Sequence, residues 1–206
     1  STLPCIGEIM KILFATSNQN KIREAHALLS ELGHSVEELR INGNLPDFIE
    51  PQSSDLKEVA NSKLKQAISL IKDTELEDYA IMVEDSGLFI DEFPGFPGVF
   101  SSFVYDSIGL NGILTLLEKS TNRSAEYRTV TILQWKNKIW ESSGVCKGTI
   151  SVEKLGKEGF GYDPIFIPLQ GNGSTFSQMN IKQKTLISHR TFSLKGLLDS
   201  LKLPSK

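Results

Sequence analysis

Cysteine is scarce in this chain of 206 residues, and its scarcity excludes several classes of protein. The two cysteines, Cys5 and Cys146, lie far apart and lack the spacing of a metal site. This usage favours a reducing, cytosolic setting, so we expect a cytoplasmic protein. No apolar run is long enough to span a bilayer, and the sequence therefore predicts no membrane partner.

Concentrated positive charge is also missing. The chain has 22 Lys and Arg residues against 25 Asp and Glu residues, which gives a net charge of -3, and no basic cluster interrupts this balance. The balance argues against a protein that coats nucleic acid, so we expect no nucleic-acid partner. It still permits a local basic pocket that binds a small anion.

The sequence lacks the motifs of several common mechanisms. Nothing resembles GxSxG, and neither cysteine has an activating neighbourhood, so nucleophilic catalysis has no support. The GxxxxGK[ST] spacing of a Walker A loop is absent as well. There is no repeat, low-complexity segment or linker-like stretch, and the length fits one domain or a two-lobed unit.

The first nine residues, before Met10, contain no basic segment of a secretory signal. We interpret residues 1–9 as a short leader or a remnant of recombinant expression. The remaining residues, 10–206, are expected to form a single domain.

Hydrophobic periodicity predicts an α/β protein with a mixed sheet. Buried strands are expected at 11–15 and 80–83, and a hairpin is expected from strands at 129–135 and 139–145. Helices are expected at 20–32 and 55–71, around Leu110 to Leu117, and at the C-terminal leucines. Asp55 and Glu58 have the spacing of a capping box at the start of the second helix.

The first candidate site is the polar turn between the first strand and the first helix, TSNQNK. Its residues are Thr16, Ser17, Asn18, Gln19, Asn20 and Lys21. Phosphate binds well at a helix start because the N–H groups there are unpaired and the dipole is positive, and Lys21 adds a full charge. The alternative is ordinary helix capping by Ser17 or Asn18.

The second candidate is Glu84-Asp85-Ser86-Gly87, which follows a predicted strand. Adjacent carboxylates at a strand end could bind Mg²⁺ through oxygen, or one of them could take a proton from water. We expect Gly87 to permit a tight turn beneath them. The alternative is a solvated acidic turn.

The third candidate is GFGYDPIF at residues 159–166. Its glycines permit close backbone approach, and Pro164 biases Asp163 towards an extended conformation before a short strand. An aromatic ring and a carboxylate at the mouth of a strand could stack and hydrogen-bond a flat ligand. The alternative is a glycine-rich turn with Phe160 and Tyr162 in the core.

The fourth candidate is Ser188-His189-Arg190. Ser188 suits the N-cap of the last helix, but cations in a first turn oppose the helix dipole. A nearby anion or ligand oxygen would account for them, and Lys184 could face the same way. The alternative is an exposed His-Arg pair at the surface.

These four motifs occur in an order that resembles the inosine triphosphate pyrophosphatase family, hydrolases of non-standard purine nucleoside triphosphates. The resemblance extends from about residue 10 to residue 201. It implies an elongated mixed central sheet flanked by helices, with two lobes forming an active-site cleft. It also implies a homodimer, Mg²⁺ as cofactor, and cleavage of ITP, dITP or XTP into a monophosphate and pyrophosphate.

The resemblance further implies roles for individual residues. Asp85 would be the proton acceptor and a Mg²⁺ ligand, and Glu50 would be a second metal ligand. Substrate would contact residues of the polar turn, the second helix and the last three motifs: Thr16, Ser17, Asn18, Gln19, Asn20, Lys21, Lys63, Ser86, Phe160, Gly161, Tyr162, Asp163, Lys184, His189 and Arg190.

Two other interpretations stay open at this point. One is a Maf-like nucleotide pyrophosphatase with a different base specificity, against which the GFGYDP and SHR motifs argue. The other is a nucleotide-binding regulator without catalysis. The adjacent carboxylates argue against it, because a pure binder needs no such pair beside a phosphate site.

Overall fold

A computed structural model of the chain describes residues 8–203. Most of the predicted leader lies outside these residues, and so does Cys5. The other cysteine, Cys146, is a buried free thiol, and burial raises its pKa to about 12.

Six strands form one sheet in the order β2-β1-β3-β4-β5-β6. Strand β1 is parallel to β2 and β3, whereas β6 is antiparallel to β5, so the predicted mixed sheet is confirmed. The strands are β1 (Lys11–Phe14), β2 (Ser35–Glu38), β3 (Ala80–Ile90), β4 (Ser124–Trp135), β5 (Lys138–Ile150) and β6 (Phe166–Pro168).

Five α-helices accompany the sheet in the described part of the chain: α1 (Gln19–Leu29), α2 (Leu56–Ile71), α3 (Ser101–Leu116), α4 (Ile181–Ile187) and α5 (His189–Lys202). Asp55 caps α2 by accepting a hydrogen bond from the N–H of Lys57 at 2.9 Å. The predicted capping box is wrong in its second half. Glu58 instead accepts a hydrogen bond from the hydroxyl of Ser53, which lies before the cap.

The described chain divides into two compact units. Unit 1 comprises residues up to Asp85, Val130–Ser143 and residues from Ser193 onwards. Unit 2 comprises Ser86–Thr129 and Gly144–Phe192. Strands β3, β4 and β5 each contribute residues to both units.

In unit 1 both faces of the sheet are buried. Ile12 and Phe14 of β1 join one core with α1 and α5, while Leu13 joins another core with α2. Burial on both faces explains why β1 is a continuous apolar run rather than an alternating one. Because α1 and α2 pack on this sheet, Lys21 in the first turn of α1 and Lys63 of α2 both lie near Glu84 of β3.

Unit 2 has its own core, in which aromatic rings predominate. Tyr127 of β4 lies 4.5 Å from Phe166 and 6.0 Å from Phe176, measured between ring centroids. Apolar residues of β3 and α3, including Leu88 and Ile113, complete this core. The aromatic cluster forms the floor on which the third and fourth motifs are built.

Strand β3 is longer than expected. We predicted a strand at 80–83 followed by a turn at Gly87, but the strand continues to Ile90. A Cβ atom at Gly87 would lie 2.2 Å from the carbonyl oxygen of Gly98. Gly87 therefore permits close approach of a neighbouring backbone segment, not a turn.

The predicted hairpin is confirmed, with longer strands. Lys136 and Asn137 join β4 to β5 with φ angles of 49° and 62°. A two-residue turn with positive φ at both positions matches the right-handed twist of the strands that it joins.

Candidate active site

Asp85 is the central residue of the candidate site in unit 1. It lies within β3 and is half-buried, and its buried Oδ2 atom has no hydrogen-bond partner. A buried carboxylate oxygen without a donor is costly, because it has lost water and gained nothing in exchange. Such an atom is suited to accept a proton or to bind a cation.

The surroundings of Asp85 tune its proton affinity. Burial raises the pKa of its carboxyl from 3.8 to about 6, and the neighbouring Glu50 and Glu84 carboxylates raise it as well. Lys63 and Lys21 act in the opposite direction. At neutral pH the group is ionised and yet basic enough to act as a general base, a role that favours a pKa near the working pH.

Two lysines from different helices meet at Glu84. The Nζ atom of Lys21 lies 3.2 Å from Oε1 of Glu84, and the Nζ atom of Lys63 donates to the Glu84 carbonyl at 3.3 Å. The Glu84 side chain is almost fully buried, so the alternative of a solvated acidic turn is wrong. The two ammonium groups place positive charge beside the carboxylates, where a polyphosphate could bind.

The start of α1 is capped by Asn18, a residue of the polar turn itself. The side chain of Asn18 accepts hydrogen bonds from the N–H groups of Asn20 and Lys21 at 3.0 and 3.3 Å, and the N–H of Asn18 donates to Thr16 Oγ1. The capping alternative therefore describes Asn18, and two amides expected to face phosphate are already engaged. Ser17 and Gln19 are exposed, and Gln19 donates to Glu38 at 3.2 Å. Lys21 carries the one full positive charge of this segment, so its ammonium is the group best suited to meet an anion.

The carboxylates fit a magnesium ion that is shared with phosphate. Among residues 8–203 no group of three or more His, Cys, Asp or Glu residues is arranged to hold a metal. Mg²⁺ commonly binds through one or two carboxylates, several waters and substrate phosphates, so a cage of protein ligands is not required. The buried, unpaired oxygen of Asp85 is a suitable ligand, and the exposed Glu50 is close enough to influence its pKa.

Asp163 is the central residue of a separate cluster of predicted site residues, which lies in unit 2. Its Oδ2 atom accepts hydrogen bonds from Lys184 Nζ at 2.7 Å and from the Phe160 N–H at 3.0 Å. Its Oδ1 atom accepts a hydrogen bond from the hydroxyl of Tyr127 at 3.2 Å. Asp163 and Lys184 are both buried, so this pair is protected from solvent screening.

The predicted extended conformation of Asp163 is wrong, because the residue begins a 3-10 turn, Asp163–Ile165. The turn directs its carboxylate back onto the preceding loop. Gly159 has a φ of 73°, and a Cβ atom there would lie 2.2 Å from Asp163 Oδ2. The first glycine of GFGYDPIF is therefore required by backbone conformation and by the position of this carboxylate.

Lys184 and Arg190 lie beside the aromatic ring of Phe160, and His189 lies against the ring of Tyr127. Lys184 Nζ lies 4.7 Å and Arg190 Cζ 5.7 Å from the ring centroid of Phe160. His189 and Arg190 are only 4% and 2% exposed, so the predicted alternative of a surface pair is wrong. Ser188 caps α5, as predicted, by accepting from the N–H of Thr191 at 3.1 Å.

Three other residues that were predicted to contact substrate are Tyr162, Ser86 and Gly161. Tyr162 is buried and its hydroxyl donates to the carbonyl of Ser101 at 2.6 Å, which matches the core alternative for this residue. Ser86 is half-buried within β3, and Gly161 is half-buried in the loop beside Tyr162.

Two residues of the unit 2 cluster, Tyr127 and Phe176, were not predicted from the sequence. Tyr127 hydrogen-bonds Asp163, and its ring stacks on the imidazole of His189 with centroids 4.5 Å apart and planes 11° from parallel. The Lys184 ammonium lies 5.5 Å from the ring centroid of Phe176. The only signal for Tyr127 is its inward position in an alternating strand, which does not distinguish it from an ordinary core residue.

Known proteins resemble this chain along nearly its whole length. The sequence profile of the Ham1 family matches residues 12–200. A dITP/XTP pyrophosphatase from Pyrococcus horikoshii is 42% identical over 197 residues, which cover 96% of this chain and all of the relative. A dITP/XTP pyrophosphatase from Methanopyrus kandleri is 41% identical over 186 residues, or 90% of this chain and 93% of the relative.

Solved structures agree with these sequence matches. A HAM1 protein from Coxiella burnetii superposes with a TM-score of 0.78 at 30% identity, covering 93% of this chain and 98% of the other. The Ham1 protein of Staphylococcus aureus gives a TM-score of 0.77 at 27% identity over the same shares. Together with the order of the four motifs, these matches confirm the resemblance inferred from the sequence: the chain belongs to the Ham1 family.

Proposed function

We propose that this protein hydrolyses non-standard purine nucleoside triphosphates, with ITP, dITP and XTP as substrates, to a monophosphate and pyrophosphate. The observation that carries the proposal is the buried, unpaired carboxylate oxygen of Asp85, with its raised pKa, beside the lysines that meet at Glu84. The relatives that match over almost the whole chain are named for dITP and XTP.

Unit 1 supplies the hydrolytic chemistry in this proposal. Lys21 and Lys63 offset the negative charge of the triphosphate and stabilise the charge that develops on the leaving pyrophosphate. Asp85 accepts the proton of an attacking water, whose oxygen forms a bond to the α-phosphorus. The bond from the α-phosphorus to the bridging oxygen breaks, and that oxygen leaves with the pyrophosphate.

We also propose that Mg²⁺ serves this site, held by Asp85 and Glu50 together with substrate phosphates. When bound, the ion adds positive charge against the triphosphate and draws its oxygens into a fixed geometry. The protein's own share of this task is to keep Asp85 ionised at neutral pH, and Lys63 and Lys21 both favour that charged form.

Unit 2 supplies base recognition. The ring of Phe160 offers a stacking surface, and the charged ends of Lys184 and Arg190 beside it carry only donor groups. Hypoxanthine and xanthine present a carbonyl oxygen at position 6, which such donors can satisfy. Adenine presents an amino group there, which is itself a donor and cannot accept from these side chains, and mismatches of this kind give discrimination of about 10⁴.

The experiment that tests the proposal measures pyrophosphate release with Mg²⁺ from ITP, dITP, XTP, GTP, ATP and dTTP. We expect the first three to be turned over fastest. Release of orthophosphate with a diphosphate product would contradict attack at the α-phosphorus. Turnover of ATP as fast as ITP would contradict the assignment of the base pocket.

Arg190 offers a separate test of base recognition. Its side chain is only 2% exposed, so Arg190→Ala would leave a void and lower stability as well as binding. Arg190→Lys keeps volume and charge but loses the planar guanidinium fork. We expect kcat/KM for ITP to fall about tenfold, with the advantage over ATP narrowed and the melting temperature little changed.

We further propose that the protein is a homodimer that uses the surface of α3. The segment Gly98–Leu116 reaches a mean hydropathy of 1.2, which is compatible with a membrane span by length and composition alone, and only 17% of its residues are buried. Gly109 interrupts the helix with a φ of 64° and a ψ of -169°, which would leave backbone groups unpaired in lipid. Its exposed side chains include Phe103 at 71% and Ile108 at 44%, and they suit a second copy better.

Light scattering during size-exclusion chromatography tests the dimer. We expect twice the chain mass for the wild-type protein and a monomer for Phe103→Glu. Val152→Glu, at a position 78% exposed outside α3, is the matched control and should remain dimeric. A wild-type monomer at all concentrations would contradict the proposal.

A further inference from the structure

Tyr127 connects two groups that the proposed base pocket uses. Its hydroxyl donates to Asp163 Oδ1 at 3.2 Å, and the face of its ring stacks on His189 at 4.5 Å. The side chain is 8% exposed, and the rings of Phe166 and Phe176 pack around it. Tyr127 is therefore held in place by packing, and its hydroxyl cannot leave Asp163 without disturbing that packing.

With Tyr127 in place, both oxygens of Asp163 are occupied by donors from the protein. Lys184 and the Phe160 N–H engage Oδ2, and Tyr127 engages Oδ1. Burial and the adjacent carboxylate raise the pKa of Tyr127 well above 10, so the phenol stays protonated and remains a donor throughout the working pH range. The one carboxylate at the centre of the unit 2 cluster is thus used for internal structure.

This arrangement has a consequence for an exocyclic amino group. The 6-amino group of adenine and the 2-amino group of guanine are both donors, and each needs an acceptor once it is removed from water. A carboxylate with a free oxygen is the strongest acceptor that a protein offers. Each carboxylate oxygen has two lone pairs, so a protein donor on that oxygen removes one acceptor position and weakens it as an acceptor for an amino group.

We propose that Tyr127 is a specificity-determining positioning residue, whose hydroxyl engages Asp163 Oδ1 and thereby weakens this carboxylate as an acceptor for the amino groups of guanine and adenine nucleotides. The inference rests on the proposed function, because it assigns Asp163 to the base pocket. GTP shares the 6-oxo group with ITP, so its rejection needs another physical basis. The inference places that basis in a residue that does not itself touch the base.

Tyr127→Phe tests the inference, because it removes one oxygen and keeps the ring on His189. Thr131→Val is the matched control: it deletes a fully buried hydroxyl of the same strand, one that accepts from Ser193 Oγ at 2.8 Å. The measurement is kcat/KM for ITP, GTP and ATP on one preparation of each variant. The ratio of kcat/KM for two substrates, measured on one preparation, does not depend on the fraction of protein that is folded.

We expect Tyr127→Phe to lower the ratio of kcat/KM for ITP over GTP by about threefold to tenfold, and the ratio over ATP in the same direction. Most of the loss for ITP should be in KM, because the proton acceptor in unit 1 is untouched. Thr131→Val should leave both ratios unchanged. Calorimetric titration with IMP and GMP should show the same change of preference without turnover.

The outcomes separate this inference from the proposed function. If wild-type protein hydrolyses ITP and prefers IMP over GMP, and Tyr127→Phe keeps both preferences, the inference is overturned and the function stands. If both variants change the ratios equally, the effect is general loosening and the inference is again overturned. If wild-type protein neither hydrolyses ITP nor prefers IMP, the proposed function fails and the inference fails with it.

Discussion

The molecule contains two aspartates with buried carboxylate oxygens, and their surroundings are opposite. Asp85 in unit 1 has an oxygen without a hydrogen-bond partner and a pKa raised to about 6. Asp163 in unit 2 accepts from Lys184, Tyr127 and the Phe160 N–H, so both of its oxygens are satisfied. Both carboxylates have lost contact with water at a buried oxygen, but only Asp163 gains hydrogen-bond donors in exchange.

The difference separates reactivity from recognition. A buried carboxylate oxygen without a donor is destabilised in its charged form, and binding of a proton or a cation removes that destabilisation. A general base requires such a tendency to take up a proton. A fully satisfied carboxylate is rigid and chemically quiet, which is what a frame for a binding pocket requires. The same residue type thus serves two purposes, and the number of donors around it decides which.

The largest expected effect is that of Asp85→Asn on turnover. Loss of a general base lowers rates by about 10²–10⁴, so we expect pyrophosphate release to fall by that factor. The variant should also be more stable at pH 8. The raised pKa means that ionised Asp85 costs the folded state about 2–3 kcal/mol above pH 6, whereas the cost disappears below pH 3.8.

Melting temperatures at pH 8 and pH 4 measure this cost. We expect Asp85→Asn to melt about 5 °C above wild type at pH 8 and at the same temperature at pH 4. Asp55→Asn is the matched control, since asparagine caps a helix as well as aspartate does. Wild-type turnover in Asp85→Asn would move the base elsewhere, with Glu50 and Glu84 as the next candidates.

The second effect concerns the satisfied aspartate. Lys184→Met leaves Asp163 buried without its cation, and removal of one member of a buried pair costs about 3–5 kcal/mol. We expect the melting temperature to fall by about 10 °C. Lys182→Met, at an exposed position of the same helix, should change it by less than about 2 °C. Equal effects of the two variants would show that the Asp163 pair is not what holds unit 2 together.

Local patterns were enough to predict much of the fold and part of the site. The apolar run of β1, the stripe of α2 and the N-caps Asp55 and Ser188 are properties of short segments, and the structure contains all of them. The burial of His189 and Arg190 was missed, because two cations in a first helical turn are normally exposed. Only their long-range packing on unit 2 reverses that expectation.

Long-range contacts explain the other failures. The pairing of Tyr127 with Asp163 joins residues 36 positions apart, and no local pattern encodes it. Strand β3 passes through Gly87 because the distant Gly98 lies against it, so a glycine that suggests a turn in sequence serves close packing in the fold. The unpaired oxygen of Asp85 is likewise a property of the folded surroundings.

The third effect is the acid limb of the pH profile. If Asp85 acts as base, kcat/KM for ITP should be constant above its pKa of about 6 and fall about tenfold per pH unit below it. Initial rates at substrate concentrations well below KM, between pH 4.5 and 8.5, measure this limb. A profile that stays flat to pH 4.5 would separate the base from Asp85 and remove the contrast between the two aspartates.

The smallest effect is that of Lys63→Gln on the position of this limb. Lys63 is the stronger of the two cations that lower the pKa of Asp85, so its removal should move the limb to higher pH. Because Lys63 is also proposed to contact phosphate, its loss lowers kcat/KM at every pH. The ratio of kcat/KM at pH 6 to that at pH 8 isolates the electrostatic part, and we expect it to fall about threefold. Lys65→Gln, an exposed position of the same helix, should leave the ratio unchanged. An unchanged ratio in Lys63→Gln would mean that the lysine serves substrate alone, and that burial by itself sets the proton affinity of Asp85.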